Sequence, residues 1–203
     1  MGLIAEYVSA CQHALESIDE AQVLRLAVAM RAVWAKGAQV LLCGNGGSSA
    51  NAVHLCNDLI YGASPMGADG LRATALSANQ SVTTCLSNDV SYDQVFSYQV
   101  AVFGRPGDLL VVFSGSGNSP NVVNALIEAR KRGMVTAAVL GFSGGRCREL
   151  ADIVVHVPVD DMQIAEDCQQ SIGHMITRYL AANRPIRRQR VLETAPEPLT
   201  VQA

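Results

Sequence analysis

Two short glycine- and serine-rich segments carry the clearest chemistry in this 203-residue chain, Gly44-Asn45-Gly46-Gly47-Ser48-Ser49 and Ser114-Gly115-Ser116-Gly117-Asn118-Ser119. Each follows an apolar run and opens a helical pattern. Glycine lets the backbone turn with positive φ and approach a ligand closely. The first N–H groups of a helix have no partner inside it, and with the helix dipole they form an anion site. Serine hydroxyls add donors without a fixed charge. Both segments therefore read as phosphate loops. Ser116 and Ser119 are the leading phosphate contacts, Ser114 and Ser48 come next, and Asn45, Gly46, Gly47 and Gly115 complete the loops. Neither loop ends in Gly-Lys-Ser/Thr, and neither has the dinucleotide form GxGxxG, so a nucleotide cofactor is not expected.

The surrounding pattern says what positions these loops. Apolar residues at helical spacing predict helices over 3–17 and 20–36, with Asp19 capping the second and Gly37 stopping it. Strands are predicted over 39–43, 71–76, 108–113, 135–140 and 153–157, and helices over 49–61, 79–87, 92–103, 120–132 and 163–182. Pro120 suits the first turn of its helix. A Gly- and Pro-containing loop fills 62–70, and 141–145 is a further loop. Strand, loop and helix recur, so the fold class is α/β with a doubly wound parallel sheet. Ligands collect at the carboxyl ends of such strands. Residues 1–183 read as one domain that includes the N-terminal helices 1–36. Residues 184–203, with four arginines within 184–190, read as a disordered or loosely attached tail.

Composition supports a buried sheet. The chain is 49% hydrophobic, 16% charged and only 5% aromatic, so Val, Leu, Ile and Ala must build the core. A net charge of -3 gives no global attraction to nucleic acid or membrane surfaces. The six cysteines form no CxxC pair and read as reduced, structural thiols. The first residues carry Glu6 and no basic segment, which argues against a signal peptide. No apolar stretch approaches the roughly 20 residues that span a bilayer. A cytoplasmic protein is expected.

The segments CGNGGSSANAVH (43–54), SND (87–89) and FSGSGNSPNVVNAL (113–126) resemble the SIS-domain phosphoheptose isomerases, in order and spacing, over roughly residues 1–182. The resemblance implies a five-stranded parallel sheet flanked by helices, in the flavodoxin-like nucleotide-binding topology, with two N-terminal helices. It implies a homotetramer with active sites where subunits meet. It also implies conversion of sedoheptulose 7-phosphate to D-glycero-D-manno-heptose 7-phosphate, a precursor of the heptose of lipopolysaccharide or capsule. Residue by residue, His54 falls at a family histidine and Asp58 where the isomerases have a catalytic glutamate. Glu166 falls at a glutamine, His174 at the catalytic histidine, and Asn88 and Asp89 at a pair bordering the sugar.

Aldose–ketose isomerisation needs a base beside the carbonyl and an acid at its oxygen. Asp58 or Glu166 is the base implied by the resemblance, and His174 the acid. Some family members bind zinc, and His54, Asp58, Glu166 and His174 would form the matching set of two histidines and two carboxylates. His54 and Asp58 are four apart and share a helix face. Glu166 and His174 are eight apart, a rise of roughly 12 Å on one helix. Joining one ion would require the helix to begin after Glu166, or a second subunit. Arg146 and Arg148 read as a solvated face, His13 and His156 as ordinary surface or core residues, and Asp152 and Asp160 as strand-end caps. Two other readings share these loops. One is a non-catalytic phosphosugar-binding tetramer with a protein-interaction or replication-regulating role, to which the basic tail would contribute. The other is an isomerase of another phosphosugar.

Overall fold

Strand β1 (Gln39–Cys43) explains the architecture in miniature. Val40 and Leu42 point to one face of the sheet and Leu41 and Cys43 to the other, and all four are fully buried. A strand apolar on both faces needs a layer of helices on each side. The computed structural model, which describes residues 2–64 and 70–185, has that sandwich. Five parallel strands run in the order β2-β1-β3-β4-β5, with β2 at Arg72–Ala75, β3 at Leu109–Ser114, β4 at Val135–Leu140 and β5 at Ile153–His156. One face is covered by α1 (Leu3–Glu16), α2 (Glu20–Lys36), α3 (Gly46–Asn57) and α8 (Met162–Ala182). The other carries α4 (Gln80–Asp89), α5 (Val95–Phe103), α6 (Pro120–Lys131) and the short α7 (Gly145–Leu150). The five-stranded parallel sheet and its helical layers match the expected fold.

Local chemistry sets the boundaries. The Asp19 carboxylate accepts from Ala21 N–H at 2.9 Å and caps α2, while Gly37 ends it in the left-handed region at φ 71°. Asp161 caps α8 by accepting from Ile164 N–H at 3.1 Å. Asp152 ties β5 to β4, accepting from the Thr136 backbone N–H at 2.9 Å and its hydroxyl at 2.7 Å.

Three elements differ from the sequence reading. Helix α3 begins at Gly46, so Gly46–Ser49 form its first turn and not a loop before it. It ends at Asn57, and a π-helical turn, Asp58–Gly62, follows, in which Ala63 N–H reaches the Asp58 carbonyl at 2.7 Å. Helix α7 was not expected, because its six residues carry too short an apolar pattern to register. Of the loop at 62–70, residues 65–69 lie outside the described residues, as do 186–203 of the expected tail.

Candidate active site

The strand order places the site. Chain progression from β1 moves one way to β2 and the other way to β3, so a crevice opens between the carboxyl ends of β1 and β3. The two glycine-serine segments flank that crevice. An amide pair joins them: Asn45 Nδ2 donates to Asn121 Oδ1 and Asn121 Nδ2 donates to Asn45 Oδ1, both at 2.9 Å. The Tyr92 hydroxyl also donates to Asn45 Oδ1 at 2.9 Å. The side chain of Asn45 therefore holds the loops together. Asn121, only 1% exposed, is one functional residue that sequence reading missed. Its signal was a polar residue in the first turn of the helix, directly before the apolar pair Val122 and Val123.

The second segment is built to donate. Ser114 Oγ accepts from Gly117 N–H at 3.0 Å and Ser116 Oγ from Asn118 N–H at 3.3 Å. An oxygen that accepts a backbone proton keeps its own proton for another partner. The Ser119 side chain makes no cap bond at the start of α6. Gly117 sits at φ +65°, and a Cβ there would collide with the Gly144 carbonyl. That close approach lets Cys147 N–H bond the Gly117 carbonyl at 2.9 Å and Arg146 N–H bond Asn118 Oδ1 at 3.0 Å. The start of α7 thus braces the loop, with the backbone of Arg146 taking part.

The first segment behaves differently. Ser48 is buried, and its hydroxyl donates to Gln169 Oε1 at 3.0 Å. A Cβ on Gly47 would collide with the Glu166 carboxylate, so that carboxylate lies against the first turn of α3.

Farther along, α3 and α8 run side by side in the same sense, pairing Gly47 with Glu166, Ser48 with Gln169 and His54 with His174. His54 Nε2 and His174 Nε2 are 3.0 Å apart. Asp58 Oδ2 lies 3.5 Å from His54 Nε2 and 3.8 Å from His174 Nε2. Gln170 Nε2 stands 2.9 Å from His174 Nε2. The carboxylate is mostly shielded, at 17% exposure, while the imidazoles are half open. One ligand atom from each of His54, Asp58 and His174 lies within 4.8 Å of the others, a possible metal-binding triad. Two Zn–N bonds of ~2.0–2.1 Å at a tetrahedral angle put the nitrogens ~3.3 Å apart. The observed spacing is close to that, and the donor chemistry fits.

Glu166 does not join this triad within one chain. Helix α8 begins before it, at Met162, so the full two turns of helix separate it from His174. Asn88 and Asp89 sit at the exposed end of α4. Their side chains bond to each other at 2.8 Å, and Cys85 bonds Asp89 at 3.3 Å, an arrangement that lowers the Asp89 pKa. His13 bonds the Ser9 carbonyl and His156 the Phe142 carbonyl, both ordinary structural roles.

Comparison with known proteins follows the same lines. Residues 5–141 match the SIS domain family model. The phosphoheptose isomerase of Chlorobaculum parvum is 43% identical over 164 residues, covering 80% of this chain and 78% of that protein. That of Maridesulfovibrio salexigens is 38% identical, covering 72% and 71%. The structure of phosphoheptose isomerase from Neisseria gonorrhoeae superposes with a TM-score of 0.81 at 32% identity, covering 88% of this chain and 95% of that one.

Proposed function

Because the chain belongs to the SIS-domain family, and within it to the phosphoheptose isomerases, we propose that it interconverts sedoheptulose 7-phosphate and D-glycero-D-manno-heptose 7-phosphate through an enediol. The observation that carries this reading is the meeting of His54 on α3, Asp58 on the π-helical turn after it and His174 on α8, about two helical turns from a crevice whose second loop offers free hydroxyl donors. The phosphate binds the Ser114–Ser119 loop, where Ser114, Ser116 and Ser119 donate and the α6 N-terminus adds its dipole. Asp58 removes a proton from C1 of the ketose. The electron pair forms the C1–C2 double bond of the enediol, and the C2 oxygen takes a proton from His174. Return of a proton to C2, with loss of one from the C1 hydroxyl, completes the aldose; no electron leaves the sugar. Asp58 suits this role because Oδ2 faces both imidazoles while Oδ1 accepts from the neighbouring Asn57.

His54, Asp58 and His174 would also hold a divalent ion such as zinc, which supplies a Lewis acid for a carbonyl oxygen when bound. Residues 1–183 act as one SIS domain: α1 is tied to α8 by Tyr7 and Asp167, and α2 by Arg31 and the Asn183 carbonyl. A homotetramer is supported by the apolar face that α1 leaves open, with Leu3 84% and Ile4 79% exposed. No helix among the described residues is long and apolar enough to cross a membrane.

The test is incubation with sedoheptulose 7-phosphate, with and without a chelator, following the aldose phosphate. Asp58→Asn and His174→Ala should each lower turnover by at least about 100-fold, the usual scale of a general acid or base. Turnover in either variant within tenfold of the native chain refutes the assignment of that residue. Loss of activity with chelator, restored by zinc, establishes the metal.

A further inference from the structure

A chain of hydrogen bonds fixes which way the protons of Asn51, Gln169 and Ser48 point at the first loop. The Glu166 backbone carbonyl can only accept, so the atom of Asn51 that meets it at 2.8 Å is Nδ2. The same Nδ2 lies 3.2 Å from Gln169, which must therefore present Oε1. Ser48 then has to donate to that oxygen. The Ser48 proton is committed inward and is unavailable to a phosphate. Gln169 Nε2, in a side chain only 1% exposed, has no hydrogen-bond partner among the described residues and lies beside the first turn of α3. Over the same turn lies the Glu166 carboxylate, against Gly47. The second loop has the opposite polarity, since Ser114 and Ser116 accept backbone protons and keep their own.

We propose that Glu166 is a specificity-determining residue that closes the first loop to phosphate and turns it into a seat for sugar hydroxyls, so that the site selects sugar monophosphates over bisphosphates. The inference rests on the phosphosugar reading given above. Two helix N-termini flank one crevice, and a bisphosphate would use both. Here one of them already faces a carboxylate, which repels a second phosphate and accepts from a hydroxyl. With a neutral side chain at 166, the α3 N-terminus and the spare Gln169 amide become free to meet an anion.

The experiment is calorimetric titration of the full chain with sedoheptulose 7-phosphate and with sedoheptulose 1,7-bisphosphate, repeated on Glu166→Gln. The native chain should bind the bisphosphate at least ~10-fold more weakly than the monophosphate, the scale of one lost charge-assisted hydrogen bond. Glu166→Gln should bring that ratio below about threefold, on the same scale. An equal affinity for both sugars in the native chain overturns the proposal, and so does a ratio that the substitution leaves unchanged. Glu166→Ala provides the same neutralisation if the glutamine variant does not fold. Binding is read and not turnover, so a chain that discriminates between the sugars without isomerising either refutes the isomerase and leaves this inference standing.

Discussion

Tyr92, Asn45 and Asn121 illustrate how much a few polar atoms decide at the scale of single residues. Their three bonds, all 2.9 Å, span the crevice between two loops that are far apart in sequence. Tyr92 is half exposed, so Tyr92→Phe should change stability by no more than ~1 kcal/mol, the net worth of one hydrogen bond. The loops would still loosen, and KM for the sugar phosphate should rise several-fold with kcat less affected, which steady-state kinetics can separate. Asn121→Leu is the harsher change. It leaves Asn45 Nδ2 without its partner and Asn45 Oδ1 with Tyr92 alone, and should cost about 1–3 kcal/mol in urea unfolding.

Tyr7 gives a pH-dependent counterpart on α1. Its hydroxyl donates to Asp167 at 2.7 Å, and that bond pushes the phenol from 10.0 up to about 12. The protonated form is favoured in the folded chain. The contribution is therefore fully present below pH 10 and is lost as the pH rises through about 12. Phenolate absorbance, compared with Tyr7→Phe, should report that late titration.

Helix α8 bears the heaviest duty among the elements. Its first four turns carry Glu166, Gln169, Gln170 and His174, and its start is fixed by the Asp161 cap. Asp161→Ala should lower stability by ~1 kcal/mol, the usual value of an N-cap, as read by thermal unfolding. The second loop depends on a different local feature. Gly117→Ala would place a Cβ against the Gly144 carbonyl at positive φ, and phosphate affinity should fall sharply in calorimetry. Strand β1 and helices α7 and α8 bury three thiols as inert core atoms. Burial pushes Cys147 and Cys168 up to about 11 and raises Cys43 further still. Alkylation of the native protein near neutral pH should therefore reach the exposed Cys85 well before any of these three.

On the scale of the whole molecule, the apolar face of α1 needs a cover. Leu3, Ile4 and Val8 are 84%, 79% and 57% exposed, which is costly in water unless another chain meets them. The proposed tetramer should appear in light scattering, and Leu3→Glu combined with Ile4→Glu should shift it to smaller species. If the sites lie where subunits meet, activity falls together with assembly. A monomer of full activity would remove the interface from the mechanism.

The sequence by itself determined the α/β class, the five strands and the two loops. Those features depend on local signals: apolar runs buried on both faces, glycines at forced turns, and caps such as Asp19. It also marked His54 and Asp58 as neighbours, because a spacing of four is a property of any helix. Only the tertiary structure decided how distant segments meet. It set His174 beside His54 and laid Glu166 against Gly47, since both outcomes follow from the register in which α3 packs along α8. It separated two loops that look alike in composition into one whose serines keep their protons and one whose Ser48 proton is already given away. Proton direction depends on the partner each serine finds, and for Ser48 that partner is Gln169, 121 residues away.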